Sequence, residues 1–191
     1  VTDLTDKATP ALLEATVKKE FGGLDILVNN TGGPPPGLMS EADLSVVHRQ
    51  FEIMVMSVMD ITARFLPGMR AQGWGRILTI GTNSVKAPHR KLARAAQNTY
   101  RVGALALSKT ISAEIGRFGI TVNTLGTGAI ATPQFREVFT KIAEAQGQTY
   151  EELIAERTSV YPIPRMGTPE DMAAAAAFLC SALAGFITGQ V

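Results

Sequence analysis

One cysteine, one tryptophan and two histidines in 191 residues exclude several kinds of protein before any motif is read. Cys180 has no partner for an internal disulfide, so the sequence does not encode a disulfide-stapled scaffold, and a reduced, cytoplasmic setting is expected. His48 and His89 are too isolated to suggest a metal site. Lysine and arginine together number 18 against 17 aspartates and glutamates, which argues against nucleic acid or an acidic membrane as a partner. No apolar run approaches the roughly 20 residues of a membrane span, and the first residues show no basic-then-apolar signal pattern. With 46% hydrophobic residues, the chain can bury one sizeable core.

Apolar periodicity alternates between helix and strand along the chain. A helix is expected from Pro10 to about Phe21, capped by Asp6 or Thr9 and stopped by Gly22-Gly23. Leu24 to Val28 is a short continuous apolar run, the pattern of a strand buried on both faces of a parallel sheet. The loop from Asn29 to Gly37 is rich in proline and glycine. A long helix follows, from a cap at Ser40 to Met69-Arg70, with one apolar stripe through Phe51, Met54, Val55, Val58, Ile61 and Phe65. Further on, the spacing predicts a strand at 76–80, a helix over 93–118, a strand at 119–125, and surface helices at 134–146 and 150–159. The last helix starts behind a Thr168 cap and runs to about Leu183, and 185–191 begins another strand. Such alternation implies an α/β, doubly wound Rossmann-type parallel sheet, with ligands at the carboxyl ends of the strands.

The run from Gly75 to Lys109 is the place to look for chemistry. Its buried strand breaks at Gly81 into Thr82 and Ser84, and the following helix carries Tyr100, Arg101 and Lys109. Hydroxyls at a strand end facing a helix with a phenol and cations point to an enzyme.

Five motifs then resemble, in order and spacing, those of the short-chain dehydrogenase/reductases. They are Leu27-Val28-Asn29-Asn30-Thr31-Gly32, Gly75-Arg76-Ile77, Gly119-Ile120-Thr121-Val122-Asn123, Gly167-Thr168-Pro169-Glu170-Asp171 and Ile187-Thr188-Gly189-Gln190. The resemblance covers nearly the whole chain and is closest to the branch like 3-oxoacyl-carrier-protein reductase. Within it, a divergent group carries the segments found here at Gly32 to Gly37 and Ser84 to Lys86. The resemblance implies NAD or NADP as cofactor, a carbonyl or acyl-thioester substrate, and a homodimer or homotetramer built on the two long helices. It also implies that Asp3 caps the adenine, that Asn30, Thr31 and Gly32 let the backbone approach the adenosine ribose, that Gly128 and Ile130 are cofactor-binding, and that Thr132 lies near the carboxamide and phosphates.

Two departures accompany these matches. The family's glycine-rich phosphate turn is not found among residues 1–191, and the motif order implies that the first strands and the final strand of the sheet are incomplete here. The sequence is therefore expected to be part of a longer chain, and the Leu24 to Val28 strand is expected to present exposed apolar surface. The second departure is in the catalytic set. Family members use asparagine, serine, tyrosine and lysine, and the corresponding positions here are Met54, Thr82, Gln97 and Arg101. No Tyr-x-x-x-Lys pair is present. Thr82, Ser84, Tyr100 and Arg101 are the candidate catalytic residues, with Arg101 also a candidate cofactor ligand and Lys86 a possible carbonyl donor. Three functions fit: a nicotinamide-dependent reductase or dehydrogenase, a cofactor- or ligand-binding member without turnover, and a different reaction such as dehydration on the same scaffold. The segment from Gln134 to Ser159 is expected to act as a mobile lid over the substrate.

Overall fold

The computed structural model describes residue 6 and residues 8–33, 37–87 and 95–191. These divide into two compact units, 1–126 with 178–191, and 127–177.

In the first unit, helix α1 (Thr9–Phe21) begins at Ala8 without a side-chain cap and ends where Gly22 takes φ 78°. The expected cap Asp6 instead accepts a hydrogen bond from the Ala8 amide. Strand β1 (Ile26–Asn29) pairs in parallel with β2 (Gly75–Thr82), Leu27 opposite Ile77. Strand β3 (Ile120–Thr127) lies on the other side of β2. Burial on both faces of β1 is not observed. Leu27 and Asn29 are buried, whereas Ile26 and Val28 remain 41% and 48% exposed, so one face of the strand is apolar and uncovered.

The long helix expected from Ser40 to Arg70 is interrupted. Helix α2 (Leu44–Phe51) is capped by Asp43, not Ser40, and the Asp43 carboxylate accepts from the Ser45 amide. A π-helical turn at Glu52–Met56 then leads into α3 (Ser57–Gln72). The extra residue of a π turn re-aims the side chains on it, and this one places Met54 and Val55 inside the protein. Ile61, Phe65 and Met69, spaced by four and so on one helix face, pack with Leu27, Ile77, Ile115, Ile120 and Val122 into the main core. Helix α4 (Ala95–Ile115) supplies Ile115 to that core.

Buried Arg76, at the start of β2, ties three segments together. It donates to the carbonyls of Gly75, Gly119 and Ser181 and stacks over Trp74 at 4.3 Å. Residues 185–191 do not form the expected strand. They follow β3 through mixed contacts: the Gly189 amide bonds the Val122 carbonyl, while Thr188 and Asn123 side chains exchange hydrogen bonds with the backbone.

The second unit contains helices α5 (Pro133–Ala145), α6 (Tyr150–Thr158) and most of α7 (Pro169–Cys180). Thr149 and Glu152 form a reciprocal capping box at the start of α6. Phe139, Ala143 and Leu153 give the unit a small core of its own. Helix α7 ends at Cys180, short of the expected Leu183, and Ser181 caps a brief 3-10 turn at Ala182–Ala184.

Candidate functional site

The carboxyl ends of β1 and β2 and one face of α4 meet around a small cavity. On α4, positions 97, 101, 104 and 108 lie on one helical face because they repeat every three or four residues. Gln97 and Arg101 stand side by side against Gly33, just after β1. A Cβ on Gly33 would lie 3.4 Å from Gln97 Nε2 and 3.7 Å from Arg101 Nη2. Arg101 Nη1 also donates to the Ile80 carbonyl at 3.4 Å. The guanidinium is thus held at the end of the sheet, with Thr31 and Gly81 on the same cavity wall.

Met54, only 3% exposed, closes the cavity from the π turn together with Val58. A thioether cannot donate and accepts only weakly, so this wall offers no polar side chain. Thr82 and Ser84 come together after β2: the Thr82 hydroxyl donates to Ser84 Oγ at 3.2 Å, and the Ser84 amide donates back to Thr82 Oγ1 at 3.3 Å. Ser84 is buried and Thr82 is half-buried. Lys86 donates to the Val191 carbonyl at 2.9 Å.

Tyr100 is adjacent to Arg101 in sequence and turned about 100° around the helix, yet it lines the same cavity. It is 4% exposed, its hydroxyl donates to the Val47 carbonyl at 2.6 Å, and its ring meets Phe51 edge-on at 6.2 Å. Burial pushes its phenol pKa up, which makes it a weaker acid. Its ring packs with Met54 and Val55, joining α4 to the π turn. Tyr100→Phe is expected to lower stability by about 1 kcal/mol through loss of that hydrogen bond. Thermal melting measures this, and a fall in turnover beyond the stability loss would return the proton-donor role to Tyr100.

Asn30 and Gly32 are exposed on the loop after β1, and Thr31 is half-buried at the cavity. Asp3 lies outside the described residues. Gly128, Ile130 and Thr132 belong to the second unit, where Ile130 bridges Gly167 and the Thr132 side chain caps α5 by accepting from the Phe135 amide. Two residues that matter here were missed in the sequence. Gly33 falls inside the general loop reading, although it is the point on the loop that both α4 side chains approach. Thr124 carried a weak signal, a threonine inside the apolar run of β3, and it lines the cavity beside Gly81.

Comparison with known proteins fixes the family. Residues 1–191 match the family model described as enoyl-(acyl carrier protein) reductase. The chain belongs to the short-chain dehydrogenase/reductase family. It is 32% identical to the 7alpha-hydroxysteroid dehydrogenase of Escherichia coli (strain K12) over 191 residues, covering 99% of this chain and 69% of that protein. With the 3-oxoacyl-[acyl-carrier-protein] reductase of Haemophilus influenzae it shares 34% identity over 194 residues, covering 99% of this chain and 73% of the relative. The crystal structure of L-sorbose reductase from Gluconobacter frateurii, complexed with NADPH and L-sorbose, superposes with a TM-score of 0.92 at 27% identity, over 100% of this chain and 72% of that one.

Among the described residues no helix is long and apolar enough to cross a membrane, and no group of histidine, cysteine, aspartate or glutamate is arranged to hold a metal.

Proposed function

We propose that this chain is an oxidoreductase that binds NAD or NADP and acts on the carbonyl or hydroxyl of a small molecule or acyl thioester. The observation that carries the proposal is the pairing of Arg101 and Gln97 against Gly33 at the carboxyl end of the sheet. Those donors fit the nicotinamide ribose and a substrate oxygen, both of them reaching the loop after β1 at Gly33. When bound, the reduced cofactor supplies the hydride.

The chain's own residues then have distinct tasks. Arg101 donates to ribose hydroxyl oxygens and stays protonated throughout, so it holds but does not relay a proton. Gln97 presents an amide donor where the family places its tyrosine, and can stabilise charge developing on a carbonyl oxygen without giving up a proton. The Thr82 hydroxyl orients the substrate, and the Thr82–Ser84 pair is the local source of exchangeable O–H.

A second reading, a cofactor- or ligand-binding member without turnover, is favoured by Met54 and Gln97, neither of which moves a proton. Fluorescence titration with each reduced nicotinamide, followed by its oxidation in the presence of a panel of ketones and acyl thioesters, separates the two. Binding with oxidation supports the enzyme, and binding without it supports the second reading. If neither cofactor binds, the enzyme reading fails and the second survives only as binding of another ligand.

The same reading includes a homodimer or homotetramer formed through α3 and α4. Met59 on α3 and Val102 on α4 expose 41% and 46% of their surface, and Met56 at the end of the π turn exposes 40%, apolar surface suited to a like partner. Light scattering at micromolar concentration is expected to give a mass of two or four chains, and a monomer would end this part of the proposal.

A further inference from the structure

Met54 reaches the cavity wall from a turn that departs from the α-helical pattern. At the end of that turn the Ser57 amide donates to the Glu52 carbonyl, five residues back, where an α-helix would send it to Ile53, four back. The Ser57 hydroxyl goes to the carbonyl that its amide passes over: Ser57 Oγ donates to the Ile53 oxygen. One residue thus supplies both bonds. Ser57 is only 6% exposed, so bulk water does not stand in for a lost hydroxyl.

A side chain bonded to the carbonyl four residues back is common for serine and threonine in helices. Thr16, Ser108 and Thr158 do this in α1, α4 and α6. In those helices the α pattern already gives that carbonyl a backbone amide, so the side chain adds a second donor. At Ser57 the amide is drawn one carbonyl further back, and the hydroxyl takes its place.

A π turn holds one residue more than the α pattern allows, so a turn released from its bonds can relax by rotating the helix before it about 100°. Burial does little to prevent this, since none of the eight residues of α2 is buried. The tie across the turn is Val47, whose carbonyl accepts from Tyr100 and whose side chain packs beside Met54 and Val55. Keeping Met54 in the wall therefore depends on bonds made within the turn itself.

We infer that Ser57 sets the π turn and, through it, the place of Met54 in the cavity wall. Ser57 is a positioning residue, acting on a ligand only through Met54 and the turn. Its effect on cofactor affinity rests on the function proposed above, whereas its effect on the turn does not.

The test uses Ser57→Ala, Ser57→Thr and a deletion of the exposed Glu52, which removes the extra residue of the turn. Amide hydrogen exchange without any ligand is expected to speed up about tenfold across residues 53–58 in Ser57→Ala, relative to amides around Phe65 in α3, on the scale of one net hydrogen bond. Threonine keeps a hydroxyl that reaches the carbonyl four residues back and should bring exchange back toward wild type. With Glu52 deleted the turn closes in the α pattern, so adding Ser57→Ala should change exchange there by less than about twofold. Reduced-cofactor affinity should fall about three- to tenfold in Ser57→Ala and recover in Ser57→Thr.

Unchanged exchange across the turn in Ser57→Ala would overturn the inference, as would an equal speeding-up in the chain lacking Glu52. If that deletion does not fold, the two point variants decide, and threonine no better than alanine would overturn the assignment to the hydroxyl. Faster exchange with unchanged affinity would overturn the link to the site. A wild-type protein that binds neither cofactor would remove the functional reading, and the exchange rates would still decide the role of Ser57 in the turn.

Discussion

Gly119→Ala is expected to cost the protein 3 kcal/mol or more of stability, an estimate from adding backbone strain of roughly 1 to 3 kcal/mol to a steric clash. Gly119 takes φ +74°, and a Cβ placed there would lie 2.2 Å from the Gly73 carbonyl oxygen. Both partners are backbone, so no side-chain rotamer can relieve the contact. The damage would spread, because Gly119 opens β3 and its carbonyl receives Arg76 Nη1 at 3.2 Å. Displacing it would leave part of a buried guanidinium unsatisfied, and burial holds the neighbouring Cys180 thiol pKa up. Gly116→Ala is the control, since a Cβ there meets nothing within 4 Å and its φ is not positive. Denaturant unfolding should show a large drop in midpoint for Gly119→Ala and little change for Gly116→Ala. Equal midpoints would show that the turn between α4 and β3 relaxes without cost.

The elements legible in the sequence were those whose periodicity is decided by packing against the main core. Ile61, Phe65 and Met69 mark one face of α3, and Ile77, Ile120 and Val122 mark the strands beneath it. The break before α3 was hidden because a π turn adds one residue, and an apolar stripe at mixed three- and four-residue spacing absorbs it without an obvious fault. Ser40 and Asp43 are both good caps by type, and only the chain path selects Asp43. For 185–191, strand alternation was outweighed by Gly189 at φ +70° and by side-chain hydrogen bonds from Thr188 and Asn123 that replace a regular ladder.

The site was partly legible for the same reason. Helical spacing put Gln97 and Arg101 on one face, and the structure brings both to Gly33. Spacing could not say where Tyr100 would find a hydrogen-bond acceptor, which depends on the approach of α2 and is supplied by Val47. Nor could it foresee Thr124, whose place is set by a cavity assembled from two strands, three helical segments and the loop after β1.

Arg101→Ala is expected to weaken binding of the reduced cofactor by about 1 to 3 kcal/mol, the loss of one charge-assisted hydrogen bond, or roughly five- to 150-fold in Kd. The guanidinium reaches the site from α4, with Ile80's carbonyl at 3.4 Å and Gly33 beside it, so truncation to alanine removes a donor and leaves space. Alanine is also a strong helix former, so α4 should keep its shape and the change in affinity should exceed any change in stability. Arg101→Lys should retain more of the binding, because an ammonium still donates to ribose hydroxyls, but it loses the planar fork that spans two acceptors. Titration of wild type, Arg101→Lys and Arg101→Ala with reduced nicotinamide should therefore give affinities in that order. An unchanged Kd in Arg101→Ala, with the fold intact by circular dichroism, would place the ribose elsewhere and take away the main support for Arg101 as a cofactor ligand.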